Sequence, residues 1–455
     1  MNAQLQPVSI ATPLLTLTDQ QNAALNAMLA FARGEHGARM MTLEGYAGTG
    51  KTTLVGELLR ALGRQLTIAV AAPTNKAVNV LREKIGAGVP VEYGSIHSFM
   101  GLRLRERDDG RHECVPEGTS TVHQYHLVIV DECSMLSRQL FGVLVATAQN
   151  TDTRILFVGD PAQLPPVGDR QESPTFGMVQ HKAVLTDIVR QAADNPIIAV
   201  SMRIREAIEA SHRMSRADIE AACPAPPADA LYTNGGGATA YNWALHDIRQ
   251  GLDTRILAFR NETVLRYNRD IHEAVHGSLT PFAVDEIVML NDSHDARDAA
   301  GRRVPLFNSE ECVVSEIGPG FHPHHDDVPA WRLRLVRDDG SAVTCYVVDD
   351  RAKLQGRIRQ MFSDAARLKS ELTAQRDSTK DAERKALIGR AWALVNDFAN
   401  VRHVYAMTIH KSQGSTLHTA IVDLGDVDRM RDDFDFNRAL YVATTRAAKH
   451  LAFVA

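Results

Sequence analysis

The sequence predicts an α/β protein with two parallel-sheet units, the first interrupted by a small hairpin and the second by a small all-β unit followed by helices. Three observations predict it. Short apolar runs alternate with helical stretches up to about residue 185; runs of the same kind resume at Arg255 to Phe259 and return at Val404 to Thr408, Ala420 to Leu424 and Leu451 to Val454; and between about 278 and 400 the alternation stops. Continuous apolar strands separated by helices mean a parallel sheet covered on both faces.

In chain order, Met40 to Leu43, Leu66 to Ala72, Leu127 to Val130 and Ile155 to Val158 are the strands of the first unit, residues 1–185. Between Gly101 and Gln124 a charged stretch carries Asp109-Gly110, a hairpin-turn signal, and reads as a pin-like excursion. The second unit takes residues 186–277 and 401–455, with a Pro-, Ala- and Gly-rich loop from Cys223 to Ala238. Between its halves, Glu286 to Leu290, Cys312 to Ile317, Trp331 to Val336 and Val343 to Val348 have the spacing of a small all-β unit. Ala352 to Asn400 is helical and highly charged, two helices broken near Asp377-Ser378.

The first strand runs into Gly45-Tyr-Ala-Gly-Thr-Gly-Lys-Thr-Thr53, a complete G-x-x-x-x-G-K-T loop followed by a helix-forming stretch. Glycines at this spacing let successive backbone N–H groups turn inward on phosphates, at a helix N-terminus whose dipole favours anions. Gly45, Gly48, Thr49, Gly50, Lys51, Thr52 and Thr53 are the nucleotide-binding residues; Lys51 reaches the β and γ phosphates and Thr52 ligates magnesium. Asp131 and Glu132 follow the buried strand Leu127 to Val130, at the sheet edge where ligands sit. Asp131 suits a magnesium-holding role with Thr52, and Glu132 suits polarising the attacking water. Gly159-Asp-Pro-Ala-Gln-Leu-Pro-Pro166 follows another strand and puts Gln163 where a γ-phosphate can be sensed. ATP and Mg2+ are the expected cofactors.

Bulk numbers narrow the partners. The 455 residues include 50 Lys plus Arg against 55 Asp plus Glu, a net charge of -5, so no global basic field draws in a polyanion and any nucleic acid must be held by a local groove. Five scattered cysteines, never paired as C-x-x-C, argue against a disulfide framework and a zinc site. With a polar, Gln-rich start and no apolar run near the ~20 residues that span a bilayer, a cytoplasmic location and no membrane partner are expected.

Beyond the phosphate loop, the motifs resemble superfamily 1B helicases of the Dda-like and RecD-like branch over nearly the whole chain. The resemblance implies two RecA-like parallel-sheet motor domains with ATP in the cleft between them, a pin-like hairpin insertion in the first, a small β-barrel plus helical insertion in the second, and a monomer. Leu17-Thr-Asp-Gln-Gln21 is similar to the adenine-reading segment, with Gln21 as reader. Ala72-Pro-Thr-Asn-Lys-Ala-Val78 and Ser95-Ile-His-Ser98 resemble the DNA-backbone segments of the first domain, and Ala258-Phe-Arg-Asn261 resembles the next motif, with Arg260-Asn261 where the family more often has Thr-Asn. Leu185-Thr-Asp-Ile-Val-Arg-Gln191 implies that Arg190 reaches the γ-phosphate. Thr408-Ile-His-Lys-Ser-Gln-Gly-Ser-Thr416, which includes the nucleotide-side Gly414, and Tyr441-Val-Ala-Thr-Thr-Arg-Ala447, with Arg446 as a second arginine finger, resemble the fifth and sixth motifs.

The resemblance implies DNA contacts from Pro73, Thr74, Lys76, His97, Ser98, Phe99, Thr408, His410, Lys411 and Ser412, made to phosphates and unpaired bases. Phe99, Met100 and Leu102 are the apolar wedges expected at a fork. The implied partners are single-stranded DNA and forked duplex DNA, with single-strand-binding, replication or recombination proteins docking on the charged helices. The expected activity is ATP-dependent, 5′ to 3′ DNA unwinding; an RNA helicase of the same superfamily and a nucleic-acid-dependent ATPase switch without unwinding are the alternatives.

Overall fold

A computed structural model describes residues 17–35, 37–86, 90–106, 112–116, 118–166, 171–188, 195–224, 229–277, 279–375 and 378–455, with the side chains at 75–76, 103–106, 112–116, 372–375 and 378–379 left aside. Eight strands belong to the amino-terminal part: β1 Met40–Gly45, β2 Ile68–Ala72, β3 Glu92–Ser95, β4 Leu102–Glu106, β5 His112–Pro116, β6 Leu127–Val130, β7 Arg154–Gly159 and β8 Lys182–Leu185. Six form one parallel sheet in the order β3-β2-β6-β7-β1-β8. Period-two alternation divides its core: Ile68, Val70 and Ala72 pack with the helices Asp19–Arg33, Lys51–Leu62 and Asn75–Ile85, while Ala69 and Ala71 face the helix Arg138–Gln149. β4 and β5 pair as the expected hairpin, whose Asp109-Gly110 turn lies outside the described residues.

β9 Ala230–Thr233 and β10 Thr254–Ala258 begin a second sheet, which the chain leaves for the insertion and rejoins through β18 Ala406–Thr408, β19 Leu417–Asp423 and β20 Ala447–Val454. Its order is β18-β10-β19-β20-β9, all parallel. Leu257, Val422 and Phe453 pack against the helices Pro196–Glu209 and Asp433–Arg446; Ile256, Ile421 and Ala452 face Gly236–Arg249 and Asn261–His276. The first of these cores also takes in Ala162, Leu164, Tyr46 and Ala47 from the amino-terminal sheet, so apolar burial joins the two layers.

The insertion is an antiparallel seven-stranded sheet: β11 Ile287–Leu290, β12 His294–Arg297, β13 Arg303–Leu306, β14 Glu311–His322, β15 His325–Val336, β16 Ala342–Val347 and β17 Val401–His403. Two helices, Arg351–Gln375 and Ser378–Asp397, dock on it through Leu354, Leu394 and Phe398 against Val328 and Ala330. β17 pairs with β11, so the chain returns to the second parallel sheet only at Ala406, a few residues after the expected boundary at 401. Because β10 and β18 are neighbours, the insertion leaves and re-enters its sheet at adjacent positions.

Candidate nucleotide cleft and nucleic-acid track

The motif residues gather because they follow the carboxyl ends of parallel strands: the phosphate loop after β1, Pro73-Thr74 after β2, Asp131-Glu132 after β6, Asp160 after β7. Gly48 and Gly50 have φ of 82° and 86°, left-handed values that suit glycine, and Gly50 precedes the helix Lys51–Leu62 without a side-chain cap. The first N–H groups of that helix are therefore available to an anion. Gly45 is required by space, since a Cβ there would lie 2.7 Å from Thr49 Oγ1. Thr49 is fully buried and donates to Tyr46 O, and Lys51 Nζ donates to Gly45 O at 2.6 Å and Tyr46 O at 3.1 Å. Thr52 and Thr53 begin the helix at the mouth of the loop.

Gln21 lies behind the loop. It is buried, completes a capping box with Thr18, and donates its amide to Thr49 O at 2.9 Å, so here its side chain holds the phosphate loop from the rear.

Asp131 and Glu132 meet at the cleft, with Glu132 held at φ 51°, a strained value for a residue with a side chain. Burial, and then the neighbouring Glu132 charge, push the Asp131 carboxyl up to about 7. Among the described residues no cation lies within ion-pair distance of Asp131, Lys51 being turned to the loop carbonyls. A half-buried carboxylate pair of this kind is a donor set that fits a divalent cation.

Across the cleft, Arg446 is 7% exposed and bonds only to its own neighbourhood: Val442 O, Ser415 O and Thr445 Oγ1. Burial holds its pKa below the ordinary value, and the facing Glu132 and Asp160 act against that shift. Arg190 lies outside the described residues.

Sequence reasoning missed the side chains that join the two layers. Tyr441, 1% exposed, donates its hydroxyl to Asp160 Oδ2 at 2.7 Å and accepts the Ala47 N–H of the phosphate loop at 3.0 Å. Arg438 donates to Pro161 O and Gln163 O and pairs with Glu172; Gln413 donates to Leu164 O at 3.2 Å. Gln163 itself accepts from Ser134. From the helix Pro196–Glu209, Arg205 stacks 4.0 Å over the Tyr46 ring and Glu209 accepts its hydroxyl. The segment from Gly159 to Pro166 is thus gripped from the second layer at three points. Tyr441 stood inside a recognised motif; its partners, 281 and 394 residues away, left no local signal.

The second set of motif residues lies along the same strand ends. Thr74 caps the helix Asn75–Ile85, and Gly414, at φ 75°, sits so close that an added Cβ would be 3.3 Å from Ala77 Cβ and 3.8 Å from Thr74 Oγ1. Gly414 therefore meets Thr74 rather than the phosphate loop. Pro73, Thr408 and His410 are half-buried and Ser98 is exposed. Burial lowers the pKa of His97 and of His410, favouring neutral rings. Lys411 donates to Asn291 of the barrel, and the Lys76 side chain is outside the described set.

Phe99 and Ser412 do not reach this surface. Phe99 is 4% exposed and edge-on to Tyr125, and Met100 is buried beside it, so neither is a wedge; Ser412 is fully buried with its hydroxyl on Ile409 O. Arg260 is tied to Asp426, which also accepts from Thr263 and from the Phe259 and Arg260 N–H groups. The substitution of Arg for the more usual Thr thus comes with an internal partner.

Comparison with known proteins agrees with this geometry. The AAA domain family model matches residues 16–220 and the UvrD-like helicase C-terminal domain model matches 403–454. The chain is 26% identical over 477 residues to the ATP-dependent DNA helicase dda of Enterobacteria phage T4, covering 96% of this chain and 99% of that protein. It is 35% identical over 165 residues to the ATP-dependent RecD2 DNA helicase of Deinococcus radiodurans, covering 36% of this chain and 21% of that protein. Its fold matches the Pif1 helicase of Candida albicans with a TM-score of 0.54 at 17% identity, over 97% of this chain and 94% of that one. The phosphate loop, the match of the opposed layer to a helicase carboxyl-terminal domain and a relative alike from end to end make this chain similar over nearly its whole length to the Dda-like and RecD-like helicases of superfamily 1B.

Proposed function

We propose that the chain couples ATP hydrolysis in the cleft between its two parallel sheets to 5′ to 3′ movement on single-stranded DNA, and so to unwinding of forked duplexes. The observation that carries this reading is the pairing of a complete phosphate loop with Arg446 on the opposite layer, facing Glu132 and Asp160. A phosphate-loop kinase has no need of a second parallel sheet that supplies its own arginine; a motor whose cleft opens and closes does.

The roles follow from placement. Backbone N–H groups from Gly48 to Thr52 hold the phosphates, with Lys51 leaving its loop carbonyls to meet them. Thr52 and Asp131 would hold Mg2+, which neutralises charge on phosphate oxygens when bound. Glu132 orients the attacking water and takes up its proton. Arg446, and Arg190 by its motif, stabilise charge on the transferring phosphoryl group, a contribution of ~10³ to 10⁵ in rate for arginines of this kind. Gln163 senses the γ-phosphate through the loop that the second layer grips.

Thr74, Ser98, Thr408 and His410 supply the DNA track, with Lys76 and Lys411 adding charge. The working units are residues 1–185, 186–277 with 404–455, and the insertion 278–403, in a monomer acting in the cytoplasm. No helix among the described residues is long and apolar enough to cross a membrane.

Strand separation on two matched DNA forks, one with a 5′ tail and one with a 3′ tail, tests the reading. Unwinding from the 5′ tail alone is expected. Unwinding from the 3′ tail alone overturns the direction; DNA-stimulated hydrolysis without unwinding overturns the helicase assignment in favour of a switch, unless RNA duplexes are opened instead. Lys51→Ala should remove hydrolysis and leave the fold intact, and retained DNA-stimulated turnover would sink the site assignment.

A further inference from the structure

Far from the cleft, four side chains converge at the tip of the longest hairpin of the barrel. β14 and β15 are joined by the two-residue turn Pro323-His324, so His322 and His325 oppose each other as the last cross-strand pair and His324 stands between them. The helix Ser378–Asp397 ends beside this turn. Asp397 Oδ2 lies 2.9 Å from His325 Nε2, 3.7 Å from His324 Nδ1 and 3.8 Å from His322 Nδ1. Ring nitrogens of His322 and His324 and a carboxylate oxygen of Asp397 all fall within 4.8 Å of one another.

Hydrogen bonding accounts for only part of this. His325 bonds to Asp397, and the His324 N–H donates to His322 Nδ1 at 3.3 Å, but the 3.7 and 3.8 Å separations are too long for hydrogen bonds. They are close to the ~3.3 to 3.4 Å edge of a tetrahedral site with bonds of ~2.0 to 2.1 Å, and the facing nitrogens of His322 and His324 lie within 4.8 Å, so side-chain adjustments of about an ångström or less bring three donors onto one ion. In that arrangement His322 exchanges its contact with the His324 N–H for a metal.

The surroundings suit the purpose. His322 and His325 are buried against Phe398, and His322 also against Tyr346, which fixes both rings. His324 is exposed, giving a path from solvent. The buried cluster His272, Glu286 and His403 is different. There His272 turns one ring nitrogen to Glu286 and the other to Thr280 O, and His403 also bonds to Glu286, an arrangement satisfied by the protein itself.

We propose that His322, His324 and Asp397, the last held in place by His325, form a binding site for a divalent transition metal, zinc by its set of imidazole and carboxylate donors, that staples the barrel hairpin to the end of the second inserted helix. The site needs no cysteine, and its carboxylate is 72 residues from His325.

The test uses the full chain without a histidine tag, stripped by a chelator and kept in excess magnesium so that the phosphate-loop site does not contribute. Cobalt is titrated by visible absorption and zinc by calorimetry. One equivalent should bind, with the absorption of a four-coordinate nitrogen and oxygen site, and zinc should raise the melting temperature. His324→Ala changes an exposed side chain and should keep the fold, yet weaken zinc binding by more than the ~100-fold that loss of an outer partner alone can cost. Asp397→Asn should do the same, while DNA-stimulated ATP hydrolysis by the metal-free protein stays at the wild-type level in both. Failure of the wild type to bind one equivalent, or equal binding by wild type and both variants, would overturn the proposal.

Discussion

Replacing Tyr441 with Phe removes a single oxygen atom from the junction between the two layers. The ring stays in its apolar cluster, so the core is spared, but two contacts go: the hydroxyl's donation to Asp160 at 2.7 Å and its acceptance of the Ala47 N–H at 3.0 Å. A hydrogen bond to a charged group contributes about 1.5 to 3 kcal/mol, and a buried N–H left without a partner costs about 1 to 3 kcal/mol. Water entering the loosened cleft recovers part of this, leaving about 2 to 3 kcal/mol against the joined state. At 1.4 kcal/mol per factor of ten, that state becomes ~30 to 150 times less populated relative to the open one. Steady-state DNA-stimulated ATP hydrolysis should then show kcat lowered by a similar factor. Binding of a fluorescent ADP should change little, because Lys51 and the loop glycines are untouched. A pair of fluorophores on the two layers reports the joined fraction independently. If kcat and the joined fraction both stay within about twofold of wild type, the Tyr441 bridge does not hold the cleft, and the reasoning from its geometry fails.

Gly159→Ala would place a Cβ 2.5 Å from Cys133 Sγ and 3.3 Å from the Cys133 N, directly behind Asp131 and Glu132; overpacking of about 1 to 3 kcal/mol should appear as a lower denaturant midpoint, partly restored by Cys133→Ala. Glu286 tests the barrel junction. Burial raises its carboxyl, but the hydrogen bonds from His272 and His403 outweigh that and bring it from 4.5 down to about 2. A carboxylate depressed in the folded state adds stability above its unfolded pKa, here about 3 kcal/mol, and loses it as pH falls through the folded value. Glu286→Gln should therefore destabilise at pH 7, with the difference from wild type vanishing between about pH 4.5 and 2 in urea titrations at stepped pH. Binding of single-stranded DNA should weaken steeply with salt despite the net charge of -5, since the expected contacts are to phosphate; a flat response in fluorescence anisotropy would move the track elsewhere.

Those parts of the chain that obey local rules were legible in the sequence. The central strands β1, β2, β6 and β7 are continuous apolar runs, and the phosphate loop is a fixed spacing of glycines with Lys51. The two inserted helices were visible from composition, as was the Asp377-Ser378 break, at a position just beyond the helix Arg351–Gln375. Edge strands were not. β3 is Glu-Tyr-Gly-Ser with no buried residue, and β12 and β13 are four residues each with charges facing out, too short and polar for periodicity to show. β17 looked like the start of the returning sheet, yet its register with β11 assigns it to the barrel. Within the site, residue types could be read but directions could not: nothing in the letters showed that Gln21 turns to the back of the loop, that Ser412 faces inward, or that Gly414 meets Thr74. The histidine cluster was half legible as His-Pro-His-His, but Asp397 comes to it only through the docking of the helical pair.

The meeting of Gly414 with Thr74 and Ala77 has a mechanical meaning. The turn that carries Gly414 comes so near Thr74 and the first turn of its helix that a single added carbon would be crowded against Ala77, leaving no room for a long side chain to flex or take up play. A linkage without slack converts rotation into displacement from the first fraction of an ångström. Opening of the nucleotide cleft therefore appears undiminished as separation of the two strand-end segments, and any side chain placed on Gly414 acts as a shim, setting a minimum gap and shortening the stroke.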